Sequence, residues 1–139
     1  MKDTLAFHIL YLYKNFLDYV NENLKAHDFC RGQMPFILYV GKHEDCTPSD
    51  VTRSLKMDWG HSQRSITKLV EQNLIEKVYG KENGRRYHLR LTEKGQEIFQ
   101  LCHDLFHDWD AECLSFLPEE EREQLTAELH QLTDKLERR

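Results

Sequence analysis

Two groups of residues have the types and the spacing to handle a polyanion. In YGKENGRRYHLRLTEKG, residues 79–95, Lys81, Arg85, Arg86 and Arg90 gather around the pair Asn83-Gly84. Upstream, in DWGHSQRSITKLV, residues 58–70, helical spacing separates His61, Gln63, Arg64, Thr67 and Lys68 from the apolar Ile66, Leu69 and Val70. Arg64 has the fork that bonds guanine twice, Gln63 the amide that reads adenine, and Lys68 a point charge suited to phosphate. The bland accounts are a solvated helix face for the first group, and for Arg85 and Arg86 a charged strand edge that discourages aggregation.

Other reactive side chains form weaker patterns. His103 and His107 lie one helical turn apart with Asp104, Asp108 and Asp110 nearby, a spacing that can place two imidazoles on one metal. Solvated or interface histidines are the preferred reading, and no metal or cofactor is expected. Cys30, Cys46, Cys102 and Cys113 are widely spaced without a C-x-x-C pair, so they read as free thiols. Cys102, Phe106, Trp109 and Cys113 share one helix face, where burial would keep the thiols unreactive; Cys30, near a helix junction, is the better redox candidate. No nucleophile-base-acid set or phosphate loop is recognisable, so an enzyme is not expected.

The elements that must position these residues are legible from their period. Leu5, Ile9, Leu12, Phe16, Tyr19, Val20 and Leu24 recur at steps of three and four, which predicts a long amphipathic helix from residue 4 to about 25. RGQMPFILYVGK predicts a short buried helix with Gly32 as a break, Pro35 in the first turn and Gly41 as the stop. TPSDVTRSLKM carries a start signal, with Thr47 as N-cap, Pro48 at the first helical position and Asp50 in the reciprocal capping position. Val51 and Leu55 face inward. Asp58 caps a fourth helix running from 59 to about 72. The period then changes to strands, with Asn83-Gly84 fitting a two-residue type I′ turn. Thr92 caps a long helix whose inward positions include Ile98, Leu101, Leu105, Trp109 and Leu114. Pro118 marks the first turn of a last helix, where Glu119, Glu120 and Glu121 favour the positive dipole end. Its Leu125, Leu129, Leu132 and Leu136 make a narrow seam that needs another surface.

Charge is distributed unevenly over the 139 residues. Ten Lys/Arg stand against six Asp/Glu in residues 47–94, while the rest holds nine against eighteen, which together give the net charge of -5. A basic segment between acidic ends can meet a polyanion although the whole chain is acidic. The most apolar early run, LAFHILYLYKNFLDYV, is too polar for a membrane span and lacks a signal-cleavage site, so no membrane partner and a cytoplasmic location are expected.

Helix, short helix, helix with a polar and basic flank, then basic hairpin is the order of a winged helix-turn-helix. A helix of this kind fits the major groove while the hairpin lies along the backbone and offers an Arg to the minor groove. The expected fold is mainly α with a small β-hairpin wing, carrying N- and C-terminal dimerisation helices.

The run TPSDVTRSLKMDWGHSQRSITKLVEQNLIEKVYGKENGRRYHLRLTEKG resembles the central part of the MarR family of transcriptional regulators. Thr47, Asp50 and Val51; Arg64; Leu69, Leu74 and Ile75; Arg85; and Leu91, Thr92 and Gly95 stand where that family's motifs have such residues. Departures are Asn83 for the family's wing Asp, Asn73 for its Gly, and Ser62 for a typically apolar residue. The resemblance implies residues 1–30 as an N-terminal dimerisation helix, 31–94 as the winged DNA-binding region and 95–139 as C-terminal dimerisation helices. It implies a homodimer that reads an inverted repeat in double-stranded DNA, with His61, Gln63, Arg64, Thr67, Lys68, Lys81, Arg85 and Arg86 at the interface. It further implies a repressor released by a small aromatic or lipophilic effector, held among aromatic residues such as Tyr11, Phe16, Tyr39 and Trp109, although an aromatic stripe at helical spacing is usually core. Zinc-responsive relatives use a pair like His103 and His107, but Met34 and Pro35 stand at two of their other ligand positions, leaving His43 and Glu44 as substitutes. The alternatives are a metal- or redox-responsive regulator of the same fold, or a winged-helix protein-interaction module without DNA readout.

Overall fold

The structure, a computed structural model, describes residues 1–29, 31–80 and 86–137. It divides into two compact units, Met1–Leu105 and Phe106–Arg139. The Asn83-Gly84 turn, Lys81, Arg85 and Cys30 lie outside the described residues.

In the first unit, helix α1 spans Leu5–Leu24, and the Thr4 side chain caps it by accepting from the Phe7 amide. Only its C-terminal end is covered: Val20 and Leu24 are buried, while Leu5, Ile9 and Leu12 remain about half exposed. Two short 3-10 turns, Lys25–His27 and Arg31–Gln33, lead into α2, Met34–Lys42, with Pro35 in its first turn. Met34, Phe36, Ile37 and Val40 are buried, so this is the short core helix that the apolar run predicts. Gly41 does not stop it. The helix continues to Lys42, and a Cβ on Gly41 would overlap the ring of Phe99. The glycine is therefore needed for close approach, not termination.

Helix α3, Pro48–Ser54, opens on the expected capping box: Thr47 accepts from the Asp50 amide and Asp50 accepts from the Thr47 amide. Helix α4, Trp59–Glu71, opens on Asp58, whose carboxylate accepts from the amides of Gly60 and His61 at 3.0 and 3.2 Å. Its buried residues are Ser62, Ile66 and Leu69, at steps of four and three. Asn73 then adopts a left-handed conformation, φ 61°, which Asn tolerates better than most residues, and the chain turns into the wing.

Strands β1, Ile75–Tyr79, and β2, Tyr87–Leu91, pair antiparallel in the register Ile75 to Leu91 and Tyr79 to Tyr87. The Leu89 amide also donates to the Cys46 carbonyl at 2.7 Å, fastening β2 to the loop after α2. Helix α5, Glu93–Cys113, starts at Thr92, whose hydroxyl accepts from the Gly95 amide at 2.9 Å. Its Ile98, Cys102 and Leu105 complete a core shared with Phe36, Ile37, Val51, Ile66, Leu69 and Leu89.

The second unit holds the end of α5 and helix α6, Glu119–Glu137. Leu114, expected inside the long helix, lies just past its end in the connecting turn. Pro118 precedes α6 and supplies its first accepting carbonyl, to Arg122. Among the described residues from Phe106 onward none is buried. Leu125, Leu129, Leu132 and Leu136 are 37–54% exposed, so the described residues leave the seam largely uncovered. No helix among the described residues is long and apolar enough to cross a membrane.

Candidate nucleic-acid interface

Helix α4 sorts its residues into two faces. Ser62, Ile66 and Leu69 point into the core, and His61, Arg64, Thr67 and Lys68 are exposed. Gln63, on the flank between them, is half-buried. At 3.6 residues per turn, Arg64 projects about 160° round the helix from Ser62, so it stands far from the surface by which α4 is anchored. Gly60 lies beneath it: a Cβ there would come within 3.3 Å of Arg64 Nη1.

The wing brings a second cationic group near the start of α4. A cavity of about 580 Å³ is lined by Thr47 and Ser49 from the start of α3, Trp59 and Gln63 from α4, and Arg86 and His88 from the wing. Of the predicted interface residues, Gln63 and Arg86 therefore meet across one recess. Trp59, missed as a site residue from sequence, is 54% exposed on its wall. Its place at the opening of a polar helix, where no core contact demands an indole, was the available signal.

Several cations in the basic segment are committed within the chain. Arg90 Nε donates to Asp45 Oδ1 at 2.5 Å, joining β2 to the loop after α2. That bond holds the Asp45 carboxyl below its ordinary range and raises Arg90. Asp45 itself sits at φ 61°. Arg53 pairs with Asp50 at 2.9 Å, and the Asp50 carboxyl is held low first by the Thr47 amide of the capping box. Lys77 lies 4.7 Å over the Tyr87 ring, a cation-π contact that also braces the wing. Arg64, Lys68 and Arg86 have no carboxylate within 4 Å among the described residues.

Behind α4, a pair of hydroxyls replaces apolar packing. Ser62 is fully buried, and its Oγ lies 2.6 Å from Thr52 Oγ1 on α3; Thr52 in turn donates to the Pro48 carbonyl at 2.7 Å. The other end of α4 is held by amides: Gln33 Nε2 donates to Gln72 Oε1 at 2.7 Å, and Gln72 Nε2 to the Asp28 carbonyl at 2.8 Å.

Tyr11 is 67% exposed on α1. Phe16 and Tyr39 pack half-buried against the core, with His43 stacked on Tyr39 at 4.1 Å between ring centroids. Trp109 is half-buried in the second unit. Among the described residues, none of these four effector candidates lines the cavity above, nor one of about 450 Å³ beside Phe99 and Arg90, nor one of about 570 Å³ along Leu114 and Arg122. His103 Nδ1 is 3.7 Å from Asp104 Oδ1. Among the described residues no group of three or more His, Cys, Asp and Glu side chains could hold a metal ion. Burial pushes the Cys46 and Cys102 thiols up to about 11, and it raises Cys113 as well, with Glu112 and Asp110 adding to the effect.

Comparison with known proteins agrees with this geometry. A family model described as a winged helix DNA-binding domain matches residues 36–95. The HTH-type transcriptional regulator BilQ of Clostridium symbiosum is 32% identical over 132 residues, covering 95% of this chain and 92% of that protein. Among solved structures, FabT of Streptococcus pneumoniae in complex with DNA superposes with a TM-score of 0.81 at 30% identity, covering 96% of this chain and 95% of FabT. A MarR transcriptional regulator from Methanosarcina mazei superposes with a TM-score of 0.83 at 23% identity, covering 94% of each chain.

Proposed function

Starting from a chain that belongs to the MarR family of winged helix-turn-helix transcriptional regulators, we propose that it is a homodimeric repressor that reads an inverted-repeat operator and leaves it when a small aromatic or lipophilic effector binds. The outward face of α4 carries this reading. Arg64, with His61 and Gln63 beside it, addresses base edges; Thr67 and Lys68 meet the backbone; Arg86, with Lys81 and Arg85 just before it in the sequence, serves the adjacent groove. FabT, similar along nearly its whole length, was crystallised on DNA, which supports a duplex as the partner.

Dimerisation is supported by the apolar residues the chain leaves uncovered. Residues 1–30 and 95–139 are assigned to it, and 31–94 to DNA. Leu5, Ile9 and Leu12 on α1 and the four leucines of α6 are each 37–54% exposed, a cost that a second copy would remove. A dimer with two-fold symmetry presents two α4 helices to one DNA face, with half-sites about 34 Å apart. For the effector, Tyr11, Phe16, Tyr39 and Trp109 remain the proposed contacts, and a ligand that favours a spacing of the two α4 helices mismatched to DNA would release it.

The test is binding to duplexes that the wild-type protein enriches from a randomised pool, together with the region upstream of its own gene, over a range of salt. Arg64→Ala should lose about tenfold or more on the enriched duplex and accept more sequences. Lys68→Ala should weaken all duplexes alike and lower the slope of log K against log salt by about 0.9. Enrichment of nothing over random duplex would sink the DNA reading and leave a protein-interaction module.

A further inference from the structure

We infer that the hydroxyl pair Thr52–Ser62 is a specificity-setting latch: it fixes the roll of α4 about its own axis, and so decides which base edges His61, Gln63 and Arg64 can reach, without touching DNA. The inference rests on the DNA reading above and deepens it. Ser62 lies in the stripe Ser62, Ile66, Leu69, on the side of α4 facing α3 and the core. Apolar contacts at Ile66 and Leu69 are strong but non-directional, so they hold the helix down without fixing its rotation closely. A hydroxyl contact of 2.6 Å is directional.

The reference end of the latch is itself held. Thr52 spends its one hydroxyl proton on the Pro48 carbonyl, four residues back, so Ser62 is the donor and Thr52 the acceptor between them. Pro48 belongs to the turn already locked by the Thr47–Asp50 capping box. The chain of bonds therefore runs from the α3 cap, through two hydroxyls, to the inner face of the recognition helix. With a helix radius of about 5–6 Å, a roll of about 20° would sweep the outer side chains by roughly 2 Å. That is enough to spoil a bidentate base contact while leaving a backbone phosphate within reach of a flexible lysine.

The variants separate positioning from mere stability. Thr52→Val alone leaves the Ser62 hydroxyl buried without its partner, whereas Thr52→Val with Ser62→Ala removes both groups and restores a dry contact. Ser62→Ala alone orphans nothing, because Thr52 keeps Pro48. Thr52→Ser keeps the bond and is the rescue. Binding is read on a duplex enriched by wild type and on its scrambled form, beside the salt slope and thermal unfolding. The latch predicts that Ser62→Ala and the double variant unfold near the wild-type temperature and keep the salt slope, yet lose about tenfold of the enriched-to-scrambled ratio, while Thr52→Ser retains it. Wild-type selectivity in the folded double variant or in Ser62→Ala overturns the latch and leaves the DNA reading intact. Failure of wild type to enrich any duplex overturns both.

Discussion

Gly95 is the position where one added methyl group should cost most. It sits at the third residue of α5, its amide bonded to the Thr92 hydroxyl at 2.9 Å, and a Cβ there would lie 2.9 Å from the Leu74 carbonyl carbon and closer still to the oxygen. That oxygen accepts from the Thr92 amide at 3.0 Å, so it is backbone locked in a hydrogen bond and has no rotamer by which to escape. Relief needs the start of α5 to retreat from the turn between α4 and β1 by roughly 1 Å or more. Overpacking of this kind costs about 1–3 kcal/mol, and weakening the Leu74–Thr92 bond adds about 1 kcal/mol. A total of about 2–4 kcal/mol is a large share of a net stability of about 5–15 kcal/mol. At Gly41 the obstacle is instead the side chain of Phe99, half-buried and able to turn, so Gly41→Ala should cost less than Gly95→Ala. At Gly80 a Cβ meets nothing within 4 Å. Urea unfolding of the three alanine variants at matched protein concentration should therefore rank them Gly95, Gly41, Gly80 in decreasing loss. A Gly95→Ala protein as stable as Gly80→Ala would refute the packing argument and with it the physical account of the Leu91, Thr92, Gly95 motif.

The described thiols should be poor sensors. With Cys46 and Cys102 at about 11 against an ordinary 9.0, each is ionised about a hundredfold less at neutral pH. Iodoacetamide labelling followed by peptide mass spectrometry should find both at least that much slower than in urea, and equal rates in native buffer would revive the redox alternative. The Asp45–Arg90 pair gives a signed pH dependence. The folded carboxyl is held below its ordinary value, so the pair's stabilisation is complete above the unfolded value near ~4 and lost as pH falls through the folded one. Asp45→Asn should thus melt below wild type at pH 7, and the gap should narrow only as pH falls below ~4 and through the lowered folded value; a gap of the same size in acid, where the carboxyl is protonated, would refute the ion-pair account. Leu129→Lys places a charge in the α6 seam once per protomer and therefore twice per two-fold interface. Sedimentation should show the dimer Kd raised by roughly a hundredfold or more, and an unchanged dimer would remove α6 from the interface.

Local signals are legible in the sequence, and long-range ones are not. The Thr47-Pro48-Asp50 start, the Asp58 cap and the change to strand period after the fourth helix each involve neighbours in the chain, and the structure has each in the predicted order. Gly41 reads as a stop because glycine often ends helices, and nothing local announces that Phe99 crosses beside it. The Asp45–Arg90 bond spans 45 residues and joins two segments whose charges look equally solvated in sequence. Ser62 looked like a departure from an apolar position, which it is in type. Only the facing Thr52 shows why a buried hydroxyl is tolerated there, since burial without a partner would cost about 1–3 kcal/mol.

The same distinction explains how an acidic chain can carry a DNA-reading face. The balance of ten cations against six anions in residues 47–94 overstates what is offered to a duplex. Arg53 and Arg90 neutralise Asp50 and Asp45, and Lys77 is laid over Tyr87. These cations set the shape of the lobe, while Arg64, Lys68 and Arg86 are among the described cations left exposed without a carboxylate partner. Because charges separated by more than about 8–10 Å are screened at physiological salt, a phosphate near α4 would respond mainly to charges within that distance and little to acidic residues farther away. Net charge therefore carries little information about binding here. What counts is which cations the fold leaves without an internal partner, and whether one helix face and one wing bring them to the same strand of phosphates.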